Sequence, residues 1–147
     1  MAGITLTVDQ SGLDHLFSAL TQAANDLTPA MRAIGEYLIT ATQDRFDLQQ
    51  DPQGAAWSPL SSATKDRKRI DKILTESSRL RDSISYQAGP DEVRVGTNVI
   101  YAAIHQLGGE TGRGHSVTIP ARPYLGLSET DLDHITETVR DYLTQTV

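Results

Sequence analysis

Cysteine is missing from this 147-residue sequence. Its absence excludes disulfides, thiolate metal sites and a cysteine nucleophile, and it fits a reducing compartment. Long apolar runs are missing too. No stretch approaches the ~20 residues a membrane helix needs, and the first residues lack a basic segment followed by an apolar core. The expectation is a soluble, cytoplasmic chain that makes no membrane contact. Positive charge is in deficit: 13 Lys and Arg stand against 19 Asp and Glu, for a formal net charge of -6. That balance argues against a protein that coats nucleic acid through general electrostatics.

The recognised nucleotide and hydrolase motifs are also absent. There is no G-x-S-x-G elbow, no G-x-x-x-x-G-K-[ST] loop and no G-x-G-x-x-G opening a helix. Gly112-Arg113-Gly114 has the look of a phosphate loop without the strand, turn and helix that give such a loop meaning. His15 and His134 sit beside apolar helical stripes and read as surface or boundary residues. His105 and His115 flank a Gly-rich stretch with Glu110 between them, and two imidazoles with a carboxylate can hold zinc. Their spacing matches no helix-borne zinc motif, so neither a metal site nor a catalytic constellation is expected, and no cofactor.

What is present is a patterned chain of a length that suits one domain with a core of its own. Ile4 to Val8 alternates apolar and polar with β-branched residues, the signature of a half-buried strand. Ser11 opens an amphipathic helix through Leu27, and Thr28-Pro29 opens a second whose stripe is Met31, Ile34, Leu38 and Ala41, running toward Phe46. From Leu48 to Leu60 the period breaks into a loop, which the single indole, Trp57, pins down. Ser61 or Ser62 caps a short helix with Ile70, Ile73 and Leu74 on its apolar side. Ser83 to Ala88 and Val93 to Gly96 flank the turn Gly89-Pro90-Asp91-Glu92 as a β-hairpin. A helical turn from Val99 to Leu107 follows, then a flexible Gly108 to Gly114 loop, then a β-like run from Val117 to Ile119. Pro120 and Pro123 hold the next stretch extended, because each fixes its own φ and pushes the preceding residue out of the α region. The last helix begins at Ser128, with Asp131 completing a capping box, Leu127 stapling onto Leu132, and the stripe continuing through Ile135, Val139 and Leu143. The fold class is α+β: a small, mostly antiparallel sheet with helices packed on one side, in a single domain spanning residues 1–147, with flexible loops near 48–57 and 108–116.

Charge is unevenly spread along that domain. Residues 61–94 carry 8 basic against 6 acidic side chains, whereas residues 1–60 carry 2 against 7. Lys65, Arg67, Lys68 and Arg69, in the 65–72 segment, could touch phosphate, but aspartates dilute them, and a solvated or partner-facing helix side is the plainer reading.

A set of short pieces, in order, resembles the phage virion morphogenesis family, the tail-completion proteins of contractile-tailed phages such as Mu. They are Arg45-Phe46; Asp51-Pro52-Gln53-Gly54 with Trp57-Ser58-Pro59-Leu60 and Thr64; Ile73-Leu74 with Leu80-Arg81-Asp82-Ser83-Ile84; Val95-Gly96-Thr97-Asn98; Tyr101-Ala102; Ile104 to Gly109; and Ile119 to Leu127. Together they cover roughly residues 34–135. Where the family has Thr-Gly-x-Leu, this chain has Ser77-Ser78-Arg79-Leu80, a departure confined to one turn.

The resemblance implies a non-enzymatic structural protein. It would complete the tail at its head-proximal end and join tail to head, as a ring, a hexamer being one possibility. Its partners would be copies of itself, the tail tube or terminator, and neck or connector proteins. It would reside in the virion, at the tail and neck, after assembly in the host cytoplasm. On that reading the two loops contact neighbours, and the interface candidates are Arg113, Arg122, His105, Gln106, Tyr101 and Trp57. Trp57 is first of all an anchor for its loop, and His105 either makes a structural hydrogen bond under the Gly-rich stretch or meets a partner. The alternative is a small module of the phage neck that contacts DNA transiently through residues 65–72.

Overall fold

The computed structural model describes residues 3–6, 15, 18, 25–61 and 78–146. Most of the expected helix from Ser11 to Leu27, and the whole basic segment from Lys65 to Lys72, lie outside the described residues.

β1 (Ile4–Leu6) is followed by α1 (Thr28–Leu48), the longest described element. Pro29 occupies its first turn, where a missing N–H costs nothing. The cap differs from the sequence expectation: Thr28 lies inside the helix, and the Asp26 carboxylate accepts from the Thr28 backbone N–H at 2.9 Å. The buried face is Met31, Ile34, Leu38 and Phe46, as the 3.6-residue period dictates, with Thr42 and Arg45 also turned inward. Thr42 satisfies its hydroxyl on the Leu38 carbonyl one turn back, at 2.7 Å. The helix ends at Gln49, in the left-handed region at φ 55°.

After the one-turn helix α2 (Arg79–Asp82), β2 (Ser85–Ala88) and β3 (Val93–Thr97) form the expected hairpin. β1 joins the other side of β3, giving an antiparallel sheet in the order β1-β3-β2, with Thr5 opposite Gly96 and Tyr86 opposite Val95. Helix α1 lies on this sheet, and Gly35 sets how closely. A Cβ there would sit 2.4 Å from the Tyr86 ring, so the absent side chain leaves the space that the aromatic fills.

α3 (Ala102–Leu107) leads into β4 (Gly109–Thr111), a 3-10 turn at Arg113–His115, and β5 (Val117–Ile119). The Gly-rich stretch expected as a loop is therefore the first strand and tip of a second, two-stranded hairpin, with Gly109 opposite Ile119 and Thr111 opposite Val117. Glycine masked the strand pattern, since it carries no side chain to alternate. α4 (Glu129–Thr146) closes the fold against α1, where the His134 ring stacks on Tyr37 at 3.8 Å. Its start is the capping box read from the sequence: Ser128 N–H donates to Asp131 Oδ2 at 2.9 Å, and Asp131 N–H donates to Ser128 Oγ at 3.0 Å. Ile135 and Val139 are buried, and Leu132 and Leu143 half-buried, on the face that meets α1. The core runs from Leu27, Met31 and Ile34 through Phe46, Trp57 and Tyr124 to Ile135 and Val139. Burying each of these large side chains stabilises the fold by about 1.5–3 kcal/mol before entropy is charged.

A braced strap and an exposed arm

Between β5 and α4 the chain runs from Pro120 to Leu127 outside any helix or sheet, with a bend at Leu125 and Gly126. Its backbone polar groups must then find partners among side chains, because leaving them buried and unpaired costs as much as a lost hydrogen bond. Three side chains supply most of them. Gln106, on α3, accepts from the Tyr124 and Leu125 N–H groups at 3.0 Å each and donates Nε2 to the Leu125 carbonyl at 2.9 Å. Trp57 donates Nε1 to the Pro123 carbonyl at 2.8 Å while its ring packs edge-on to Phe46. Arg45 donates Nη1 to the Tyr124 and Gly126 carbonyls at 2.8 and 3.0 Å. Tyr124 itself is fully buried and donates its hydroxyl to the Ala102 carbonyl at 2.7 Å; burial pushes that phenol well above its ordinary value.

The other end of Arg45 makes the shortest ion pair among the described residues. Nη2 meets Asp131 Oδ2 at 2.6 Å, with both side chains buried. Asp131 Oδ1 accepts from the Tyr37 hydroxyl at 2.8 Å. One carboxylate therefore caps α4, neutralises α1 and holds a tyrosine. Burial pulls the Arg45 guanidinium below its ordinary value, opposed by the Asp131 charge. Burial, then the bond to Asp131, pushes Tyr37 up to about 12.

Arg122, an interface candidate by sequence, is held inside the protomer. It is 6% exposed, and its guanidinium donates Nε to the Ser58 carbonyl at 2.9 Å and Nη2 to the Pro59 carbonyl at 3.0 Å. Within the protomer it is a strut tying the strap to the loop that follows Trp57. Burial without a facing carboxylate lowers its pKa.

The β4–β5 hairpin stands out from this braced body as an arm. Every residue from Gly109 to Thr118 is exposed. Its root is fixed, however. Gly108 has φ +72°, and a Cβ there would lie 2.7 Å from the Ala121 N, so the residue that leads into the arm rests directly on the strap. The Arg122 N–H donates to the His105 carbonyl at 2.8 Å across the same junction. A rigid base with a solvent-exposed tip can present contacts to another molecule at little ordering cost.

The sequence candidates fall into three groups. Gln106, Trp57 and Arg122 brace the strap from inside. Tyr101 is exposed, with the His105 ring edge-on at 5.8 Å and the Arg79 guanidinium 6.0 Å from its centroid. Arg113 is exposed at the arm's tip. Lys65, Arg67, Lys68 and Arg69 lie outside the described residues. Among the described residues no three His, Asp or Glu side chains gather as a metal-donor set, so His105, Glu110 and His115 stay apart. No helix among the described residues is long and apolar enough to cross a membrane. Two residues that sequence reading passed over matter most to the architecture: Asp131, seen only as a cap, and Arg45, seen only as part of a short motif.

The chain is thus an α+β body whose prolyl strap is braced by side chains and which projects a short exposed arm. The sequence profile of the phage virion morphogenesis family matches residues 8–144, and the chain belongs to that family. Among its relatives is "Mu-like prophage FluMu G protein 2" of Haemophilus influenzae, 38% identical over 123 residues that span 84% of this chain and 83% of that protein. Another is "Putative capsid assembly protein G" of Escherichia phage Mu, 34% identical over 116 residues, 74% of each chain. No solved structure gave a match.

Proposed function

We propose that this virion morphogenesis protein completes the phage tail at its head-proximal end and joins tail to head, as a non-enzymatic structural subunit in a ring of its own copies. The observation that carries the proposal is membership of the family over nearly the whole chain. The structure supports it through a body braced by Arg45, Gln106, Trp57 and Arg122, which suits a subunit that bears load, and an arm that suits contact with neighbours. A ring needs a protomer whose different surfaces meet head to tail and close by rotation. The arm and the surface around Tyr101 would serve one side of that contact, with the tail terminator or connector proteins of the neck as further partners.

The name of the phage Mu relative favours a second reading, a role in building the capsid. Separating particles into heads, tails and joined virions, and probing each fraction for this chain, distinguishes the two. Tail completion places the chain on tails and joined virions; its presence on heads alone would replace that reading with capsid assembly. The DNA-contacting alternative is tested by changing Arg67, Lys68 and Arg69 together: unchanged salt-dependent DNA retention disposes of it.

A further inference from the structure

Two arginines are buried alike in the described fold, and only one of them has a counter-ion. Arg45 and Arg122 are each 6% exposed. Each grips two backbone carbonyls, Arg45 those of Tyr124 and Gly126 and Arg122 those of Ser58 and Pro59. Asp131 completes the first set at 2.6 Å. Around Arg122 no carboxylate takes that place among the described residues, and Nη1 has no acceptor there. That nitrogen is nevertheless not sealed from solvent. A buried cation without a counter-ion is costly, and carbonyl dipoles offset only part of the cost. Arg122 is thus a socket with one open side, and the planar guanidinium fork matches a carboxylate best.

The socket lies at the root of the exposed arm. The Arg122 N–H donates to the His105 carbonyl, and Gly108 rests on Ala121. A molecule seated against that root therefore lies beside this residue. The chain's own surface offers the matching anion. It carries 19 Asp and Glu against 13 Lys and Arg, and α4 sets Glu129, Asp133, Glu137 and Asp141 four apart, all exposed. The helical period places them on the side turned away from Ile135 and Val139. Like charges at that spacing repel one another, and none of the four is in an ion pair among the described residues. Within one protomer the socket and this row do not pair; between two copies they are complementary. Because the two surfaces differ, the contact runs head to tail and repeats from copy to copy.

We propose that Arg122 is an interface residue whose open side is filled, in the assembled ring, by a carboxylate from the outer face of α4 on the neighbouring copy. The contact presupposes the ring of copies proposed above and adds which surfaces meet in it.

Arg122 also braces its own protomer, so the contact is read from both sides. Particles carrying Arg122→Lys are treated with a carbodiimide, which joins an amine to a carboxylate in direct contact, and the linked peptides are identified by mass spectrometry. The introduced amine is expected to link to α4 of another copy, in a product of two chains. Copies linked to one another through Lys65, Lys68 or Lys72 but not through position 122 overturn this contact and leave the ring standing. A link from position 122 to a different protein alone does the same. One copy per particle overturns the contact and the ring together. From the other side, Asp133→Asn, Glu137→Gln and Asp141→Asn together leave Arg122 untouched and lie beyond the first turn of α4. The melt is expected to stay unchanged while incorporation into particles falls about tenfold or more. Unchanged incorporation overturns the proposal, whether or not Arg122→Lys folds.

Discussion

Replacing Asp131 with asparagine isolates the role of one charge. The amide keeps the shape of the carboxylate and its oxygen can still accept from the Ser128 N–H, so the cap survives; the ion pair is removed, and the Tyr37 hydroxyl, which donates to Oδ1, must turn to accept from the amide NH2. Arg45 then keeps its bonds to the Tyr124 and Gly126 carbonyls, but its charge is left buried with no counter-ion. Breaking a buried pair from one side costs about 3–5 kcal/mol, a large share of the roughly 5–15 kcal/mol that holds a domain together. In a chain of this size the melting temperature should fall by about 10 °C. Urea unfolding followed through the single, buried Trp57 reads the change as a lower midpoint with an unaltered slope. Arg45→Met and the double substitution complete a cycle, and a coupling of about 2–3 kcal/mol is expected between residues in direct contact. A loss below about 1 kcal/mol for Asp131→Asn, or additive single substitutions, would refute the argument that this pair fastens α4 and the strap to α1.

Gly35→Ala should cost about 1–3 kcal/mol, because its Cβ would lie 2.4 Å from the Tyr86 ring; adding Tyr86→Leu should recover much of the loss in the same urea assay. Gln106→Leu keeps the bulk but strands two strap N–H groups and a carbonyl, for a loss of about 2–4 kcal/mol in thermal melts. Tyr37 binds its proton more tightly folded, up to about 12, than the ordinary 10.0 of the unfolded chain, so its contribution is complete below pH 10 and fades as pH rises toward 12. A pH series of melts should show that decline, and Tyr37→Phe should flatten part of it. Deleting Glu110 to His115 should leave the melt of the body intact while abolishing incorporation into particles; normal incorporation would remove the arm from the assembly surface.

Elements set by local signals were legible in the sequence. The start of α4 needs only Ser128 and Asp131 three residues apart, and the β2–β3 hairpin needs only its turn residues followed by the β-branched run from Val93. The braces were not legible, because their partners are backbone groups distant in the chain, on the strap for Arg45, Trp57 and Gln106 and on Ser58 and Pro59 for Arg122. Arg122 and Gln106 look like surface polar residues until Pro120 and Pro123 are seen to hold a stretch outside any sheet. The strap itself was the available signal, since its unpaired backbone groups required side-chain partners. Arg45 and Asp131 stand 86 residues apart, and no local pattern marks such a pair. The arm was misread for the opposite reason: Gly108, Gly109, Gly112 and Gly114 suggested a loop, while cross-strand pairing with Val117 to Ile119 made a hairpin of it.

The central claim is tested most directly by electron microscopy of particles made by the encoding genome with this gene deleted and then restored. Tail completion predicts full heads accumulating beside unjoined or aberrant tails, with joined particles returning on restoration. Normal joined particles without the gene would contradict it, and missing or malformed heads would move the protein's work to the capsid.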